Sequence, residues 1–168
     1  MTRWNSFWRV SRKPCESIPR QGTKLAAYYF RGGYPQLSQE EVLDYCADAL
    51  CRCHHAGVRV IRLGLHDTPS LREHLLAGYF HPAYGELAES RLYLRQLKAA
   101  AADCGKPELF VETAPRTMSK VLGQHGCNRK ALAEQGVSLR VRENAAVAAG
   151  TILAEQQVYE IFSERNQR

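Results

Sequence analysis

The spacing of apolar positions changes several times along the chain, and each change predicts a different element. Ser38, followed three residues later by Glu41, forms a capping box, the usual start of a helix. Apolar residues then recur at helical spacing, at Leu43, Cys46, Leu50 and Cys53. The pattern predicts a helix that runs to about His55 and stops at Gly57.

Two short apolar stretches flank this predicted helix. Residues 24–30 are apolar at most positions and end at a Gly-Gly-Tyr-Pro break. Val58–Leu65 is β-branched and partly alternating, which predicts a strand after a very short turn. A helix followed by a strand, with a short apolar segment before them, indicates an α/β layer.

The stretch Gly78–Arg91 combines Pro and Gly with a dense set of polar side chains, and we call it the signature. Pro82 fixes its own φ and pushes the preceding residue towards extended backbone. Glu86 and Glu89 would then sit in the first helical turns, where carboxylates suit the helix dipole. The pattern predicts a loop that leads into a helix ending at about Asp103.

A second, smaller pattern follows, in the order strand, helix, turn, helix, strand. The strands are predicted at Glu108–Thr113 and Val137–Arg142, and the helices at residues 115–122 and 127–135. The sequence Gly-Gln-His-Gly at 123–126 forms the turn. Residues 151–162 fit either a strand or a short helix, and periodicity does not decide between the two.

Length, cysteines and charge narrow the class of protein. A chain of 168 residues suffices for one ordinary domain with a small appendage. Six cysteines without a disulfide framework, and no apolar run of signal or membrane type, predict a cytoplasmic protein with reduced thiols and no membrane contact. Residues 1–24 and 115–142 each hold six Lys or Arg and one acidic residue. These blocks suit either a polyanion or a solubilising surface.

Five potential metal ligands gather within ten residues, at Cys46, Cys51, Cys53, His54 and His55. On a helix they do not converge, because Cys46 and Cys53 lie on the apolar stripe and Cys51 points about 100° away from it. A zinc site also needs a second ligand pair elsewhere, which the sequence lacks. We expect no metal site and assign the two thiols of the stripe to the core.

The signature is the most specific candidate for a functional site. His81, Tyr84 and Glu86 would line the mouth of a substrate pocket at the open end of the sheet, where ligands bind in α/β proteins. Glu89 and Arg91 fit a structural role, at a helix start and in local ion pairs, as well as a functional one. No residue is predicted to be catalytic.

The loop between Gly123 and Gly126 is the second candidate. It resembles a KH module, in which a G-x-x-G loop between two short helices lets a nucleic-acid backbone approach closely. An ordinary two-glycine turn is the alternative, and Arg129 stands where the KH pattern has an apolar residue. The residues that would contact RNA are Lys120, Gly123, Gln124, His125, Gly126, Arg129 and Lys130.

Several segments together resemble the C-terminal half of one radical S-adenosylmethionine (radical SAM) family. They are residues 22–26, 33–38, 57–65, the signature, and 119–124 with Asn128. Members of that family resemble the Elongator catalytic subunit and are often labelled oxygen-independent coproporphyrinogen oxidase-like. His66 and Asp67 depart from the family, which would have Gln-Pro there.

The resemblance implies an α/β fold: the C-terminal part of a partial (β/α) barrel, followed by a small α+β extension with a KH-like helix-GxxG-helix. The expected division is an irregular arm at 1–22, the partial barrel and signature helix at 23–105, and the extension at 106–168. Unpaired edges of an incomplete barrel would favour self-association or dependence on a partner.

The parent enzymes of this family use a [4Fe–4S] cluster and S-adenosylmethionine, with the cluster held by cysteines at Cys-x3-Cys-x2-Cys spacing. That spacing does not occur in the sequence, so the chain alone is expected to bind no cofactor and to be inactive as an enzyme. Two hypotheses follow. The chain is a module, split or truncated, that completes or assists a cluster-bearing partner chain, or it is a small module that binds RNA such as tRNA.

Overall fold

The computed structural model describes residues 19–34 and 37–163 and divides the chain into two compact units. The first unit comprises Met1–Val42 and Gly64–Pro82, and the second comprises Leu43–Leu63 and Ala83–Arg168. Residues 1–18 of the predicted N-terminal arm lie outside the described residues. None of the described helices is long and apolar enough to cross a lipid bilayer.

In the described part of the chain, helices α1 to α4 precede the sheet. They are α1 (Lys24–Phe30), α2 (Gln39–His55), α3 (Pro69–His74) and α4 (Tyr84–Cys104). Threonines cap the two short helices of the first unit: Thr23 Oγ1 accepts a hydrogen bond from Ala26 N at 3.2 Å, and Thr68 Oγ1 accepts one from Leu71 N at 3.1 Å. Residues 24–30, the short apolar stretch before the predicted helix, are therefore helical.

Helix α2 has the predicted bounds, and the capping box is present. The Ser38 backbone N–H and hydroxyl both donate to Glu41 Oε2 at 2.8 Å, and Glu41 N donates to Ser38 Oγ at 3.2 Å. At the other end, Gly57 adopts a left-handed conformation with φ of 65°. Both predicted end signals are confirmed.

Helix α4 is the helix that the signature predicts. It starts at Tyr84, so Gly85 lies in its first turn rather than in the loop before it. Gly105 ends the helix in a left-handed conformation, and its N–H donates to the Ala101 carbonyl at 3.0 Å. Much of the helix is buried, because it supplies the residues around which the second unit packs.

The second unit is mixed α/β, with a four-stranded mixed sheet. Its strands are β1 (Glu108–Thr113), β2 (Ser138–Glu143), β3 (Thr151–Ala154) and β4 (Gln157–Glu160). Their order is β2-β1-β3-β4, with β1 parallel to β2 and the other pairs antiparallel. The parallel crossover from β1 to β2 holds α5 (Met118–Leu122) and α6 (Cys127–Ala133). Residues 151–160, left open by the sequence, form a hairpin.

One face of this sheet packs on the helices to form the core of the second unit. Buried residues alternate with exposed ones along β1, as expected for a sheet with one solvated face. The largest fully buried side chains from α4 and the strands are Leu92, Tyr93, Leu97, Leu109, Val111 and Ile152. Burial of these apolar side chains is the main stabilising term of the unit.

The predicted strand at Val58–Leu65 is wrong, because these residues form no strand in the structure. A strand needs a neighbour to accept its backbone hydrogen bonds, and no strand among residues 19–34 and 37–163 lies beside this segment. Its exposed large apolar side chains are Val58, Val60, Ile61 and Leu65, with Ile61 91% exposed, whereas Leu63 is partly buried. The partial-barrel interpretation is not confirmed.

The prediction for the cysteines of α2 needs a correction as well. Cys53 is buried, but the second buried thiol is Cys51, and Cys46 is only partly buried. Cys51 joins Ala47 on the face that packs into the core, where its Sγ lies 3.8 Å from the Ile161 carbonyl oxygen. Burial raises the pKa of the Cys51 thiol.

Candidate functional site

The structure divides the predicted substrate-binding residues between the two units. His81 belongs to the first unit and is partly buried, whereas Tyr84 and Glu86 belong to the second. Tyr84 is the first residue of α4 and is buried. Glu86 lies in the first turn of α4 and is exposed, in the position where a carboxylate stabilises a helix.

The next residues of the signature make side-chain contacts with three different helices. We call Glu89, Ser90 and Arg91 the bridging triplet. Glu89 forms an ion pair with Lys120 of α5, and the buried Asn128 amide of α6 donates to Ser90 Oγ at 3.0 Å. The ion pairs of Glu89 and Arg91 join residues far apart in the sequence, rather than the local pairs that the sequence suggested.

Arg91 reaches helix α2 and binds one carboxylate with two nitrogens. Its Nε and Nη2 each donate to an oxygen of Asp44 at 2.8 Å. One turn further, Arg95 donates to Asp44 Oδ1 at 2.8 Å and to Asp48 Oδ1 at 2.6 Å. Two arginines on α4 therefore face two aspartates on α2, and bidentate pairs of this kind are among the stronger charge contacts.

The charges of this contact alter the proton affinity of Asp44. The hydrogen bond from Arg91 lowers the pKa of Asp44 from 3.8 to about 2, with a further contribution from Arg95 and against the opposing effect of burial. Burial would lower the pKa of Arg95, but its bonds to Asp44 and Asp48 raise it. Asp44 is therefore ionised near neutral pH, opposite the charged Arg95.

Close packing within the protein explains why a glycine occupies position 123 of the predicted nucleic-acid loop. A Cβ at Gly123 would lie 2.4 Å from Cys127 Sγ and 3.0 Å from the Asn128 backbone nitrogen, and its φ of 76° favours glycine. At Gly126 the φ is 72°, but a Cβ would meet nothing within 4 Å. The first glycine is thus required for close approach of the loop to α6.

Asn128 explains why the loop is fixed to the rest of the second unit. Besides Ser90, its Nδ2 lies 3.0 Å from the Val121 carbonyl oxygen at the end of α5. The side chain is 2% exposed, and its hydrogen bonds to α4 and α5 satisfy a buried amide that would otherwise be costly. Asn128 therefore links α4, α5 and α6.

The other residues predicted to contact RNA differ in their surroundings. Lys120 is half-buried, and its Glu89 partner raises its pKa despite the opposing effect of burial. The exposed members of the set are Gln124, His125, Arg129 and Lys130. The structure does not confirm the KH-like interpretation of this region.

Comparison with known proteins bears on the first half of the chain. Residues 20–94 match the family model of the Radical_SAM C-terminal domain. The match supports the interpretation that residues 20–94 are similar to the C-terminal domain of radical SAM proteins. The Radical_SAM C-terminal match runs from the start of the described chain into the middle of α4 and includes the whole signature. No significant match was found among curated proteins or solved structures.

Radical SAM enzymes hold a [4Fe–4S] cluster with cysteine thiolates, so the positions of the cysteines decide whether this chain could hold one. Three thiolates must face one cluster, but Cys51 is fully buried in the core, where its Sγ contacts the Ile161 carbonyl oxygen. Across residues 19–34 and 37–163, no three His, Cys, Asp or Glu side chains form a group that could hold a metal ion. The described residues do not fit the cluster.

Sequence reasoning missed the aspartates and Arg95 of the contact between α2 and α4. Asp44 and Asp48 are four residues apart, as are Arg91 and Arg95, so each pair lies on one face of its helix. The complementary charges of the two helix faces could have suggested that they pair. The sequence does not show which two helices are in contact, so these charges alone did not identify the contact.

Proposed function

We propose that the chain is a C-terminal module of a radical SAM protein that docks onto a cluster-bearing polypeptide and is not catalytic by itself. The match over residues 20–94 supports the family. The sequence lacks the Cys-x3-Cys-x2-Cys spacing, and the described thiols do not converge, which supports placing the cluster on other residues.

One exposed segment carries the docking proposal. We call Val58–Leu63 the docking segment. Val58, Val60 and Ile61 are large β-branched side chains that are 45%, 37% and 91% exposed. Arg59, Val60 and Ile61 make no backbone–backbone hydrogen bond with the described part of the chain. A β-branched segment with open backbone groups suits addition to the edge of another sheet.

The charges of the docking segment indicate the chemistry of its partner. Arg59 is exposed, and the stretch from the end of α2 to Asp67 contains no other acidic residue. The docking segment therefore presents the positive charge of Arg59 beside its apolar side chains. We propose an edge strand with acidic neighbours on the cluster-bearing polypeptide as its binding partner.

The finer predictions belong to the same proposal. An Elongator-like or coproporphyrinogen oxidase-like parent is supported by the sequence segments quoted above. His81, Tyr84 and Glu86 stay a prediction for residues that complete a substrate pocket, and RNA contact through the exposed part of the Gly123–Gly126 region stays a prediction too. Self-association through the docking segment is the alternative that the experiment must separate.

A photo-crosslinking amino acid at position 61 tests the proposal. After illumination of anaerobic cell extract, mass spectrometry should identify a crosslinked polypeptide with a Cys-x3-Cys-x2-Cys motif. The same amino acid at Glu134, which is exposed on the second unit, serves as the matched control and should give no such product. Crosslinking only to a second copy of this chain, or equal products from both positions, would reject docking through this segment.

A further inference from the structure

We infer that residues 106–163 act as a scaffold that holds helix α2, and with it the docking segment, in a fixed position. The inference rests on the proposed function, because it assigns the scaffold a role in docking. It concerns the second unit alone. Three connected sets of contacts carry it.

The first set joins the docking segment to α2. Val58 N donates to the Cys53 carbonyl at 2.8 Å, and Gly57 N donates to the His54 carbonyl at 3.0 Å. The docking segment therefore leaves directly from the end of the helix, with Gly57 in the left-handed conformation. The direction in which the segment starts is set by the direction of α2.

The second set joins α2 to α4 and to the end of the described chain. Asp44 and Asp48 bind Arg91 and Arg95, in a cluster whose side chains are 19–40% exposed. At the other end of α2, His55 Nε2 donates to the Phe162 carbonyl at 2.6 Å. The helix is thus held near both of its ends within the second unit.

The stacking of His54 strengthens this second contact. Its ring lies 4.2 Å from the Phe162 ring, with an angle of 11° between the planes. Ile161 and Phe162 follow β4, and Ile161 N donates to the Gly150 carbonyl before β3. Residues 150–162 therefore contribute a support for α2 that the matched segment 20–94 does not contain.

The third set joins α4 to the two helices between β1 and β2. Glu89 pairs with Lys120, and Asn128 donates to Ser90, so the bridging triplet connects α2, α5 and α6 through one turn of α4. Three consecutive side chains of the signature thereby serve the same mechanical role. The scaffold reaches the docking segment through α4 and α2.

Hydrogen exchange on the full chain tests this coupling. In Lys120→Gln the pair with Glu89 is lost, and we expect amides of residues 43–55 to exchange about two- to fivefold faster, together with those of α5. The exchanged pair Glu89→Lys with Lys120→Glu should restore slow exchange in both regions. Lys106→Gln is the control, because it removes the same charge from an exposed pair with Glu155.

The results separate the coupling from docking. Faster exchange confined to residues 118–133, with 43–55 unchanged, would overturn the inference. Asn128→Ala provides a second perturbation, because it removes the hydrogen bond to Ser90 of the bridging triplet. If Asn128→Ala fails to fold, the result for Lys120→Gln decides the test. Docking is measured independently by crosslinking from position 61. Absence of the crosslink in the chain without scaffold substitutions would reject the proposed function. The exchange data alone decide whether the scaffold is coupled to α2.

Discussion

Replacing Asp44 with asparagine should destabilise the second unit at neutral pH. The substitution keeps the size of the side chain and removes the charge that Arg91 binds with two nitrogens and Arg95 with one. Arg95 retains Asp48, so the main loss is the bidentate contact of Arg91. The helix that leads to the docking segment would lose one of its attachments to α4.

The pKa of Asp44 gives the size of the expected effect. A tenfold change in proton affinity corresponds to about 1.4 kcal/mol, so the shift from 3.8 to about 2 corresponds to about 2.4 kcal/mol before screening. The Asp44 side chain is 40% exposed, and solvent screening reduces the contribution to about 1 kcal/mol. A depressed pKa stabilises the fold above the unfolded-state value, so this contribution is lost as the pH falls from about 5 to about 2.

Urea denaturation at a series of pH values measures this contribution. Asp44→Asn should lower the free energy of unfolding by about 1 kcal/mol at pH 7, and the difference from the unaltered chain should vanish towards pH 2. Asp67→Asn is a matched control, because it removes the charge from the same kind of bidentate pair, with Arg72, in the first unit. Equal stability of the Asp44 variant and the unaltered chain at pH 7, or a difference that persists at low pH, would refute this assignment.

Three further predictions follow from single positions. Gly123→Ala should cost about 2–4 kcal/mol of unfolding free energy and Gly126→Ala about 1 kcal/mol, since only the first adds a collision to the left-handed backbone; urea melts decide, and equal losses would contradict the packing at Gly123. Under native conditions a thiol reagent should label exposed Cys127 much faster than buried Cys51, as read by peptide mass spectrometry, and equal rates would contradict the burial. Ile61→Lys should abolish docking without lowering the melting temperature, and a lower melting temperature would place Ile61 in the core.

Local signals in the sequence predicted the elements whose ends are defined by a few neighbouring residues. The capping box at Ser38 and Glu41 forms as expected because both partners lie within one helical turn. The helix of the signature ends at Gly105 for a similarly local reason, the left-handed conformation that glycine adopts easily. Strand β2 was predicted from the alternation of apolar and polar residues that a half-buried sheet imposes.

Features that depend on distant parts of the chain were not predictable in the same way. Val58–Leu65 has the composition of a strand, but a strand also needs a neighbour, and the described chain supplies none there. The face of α2 that becomes buried is centred on Ala47 and Cys51 because α4 and residues 161–162 meet it there. Helical periodicity alone favoured the adjacent stripe with Cys46.

The candidate site shows the same division between local and distant information. The signature was recognisable from order and spacing, and its Glu86 lies in the first helical turn as predicted. The contacts of the bridging triplet to Lys120, Asn128 and Asp44 join residues from 31 to 47 positions apart, which periodicity cannot detect. The sequence therefore located the signature. The structure was needed to show that its last three residues hold the helices of the second unit together.

Anaerobic reconstitution of the purified chain tests the central claim most directly. The chain is incubated with ferrous iron, sulfide and a reductant, after which cluster absorbance and the release of deoxyadenosine from S-adenosylmethionine are measured. We predict neither signal from the chain alone, and both when the cluster-bearing polypeptide crosslinked from position 61 is present. A cluster formed by this chain alone, with cleavage of S-adenosylmethionine, would contradict the account.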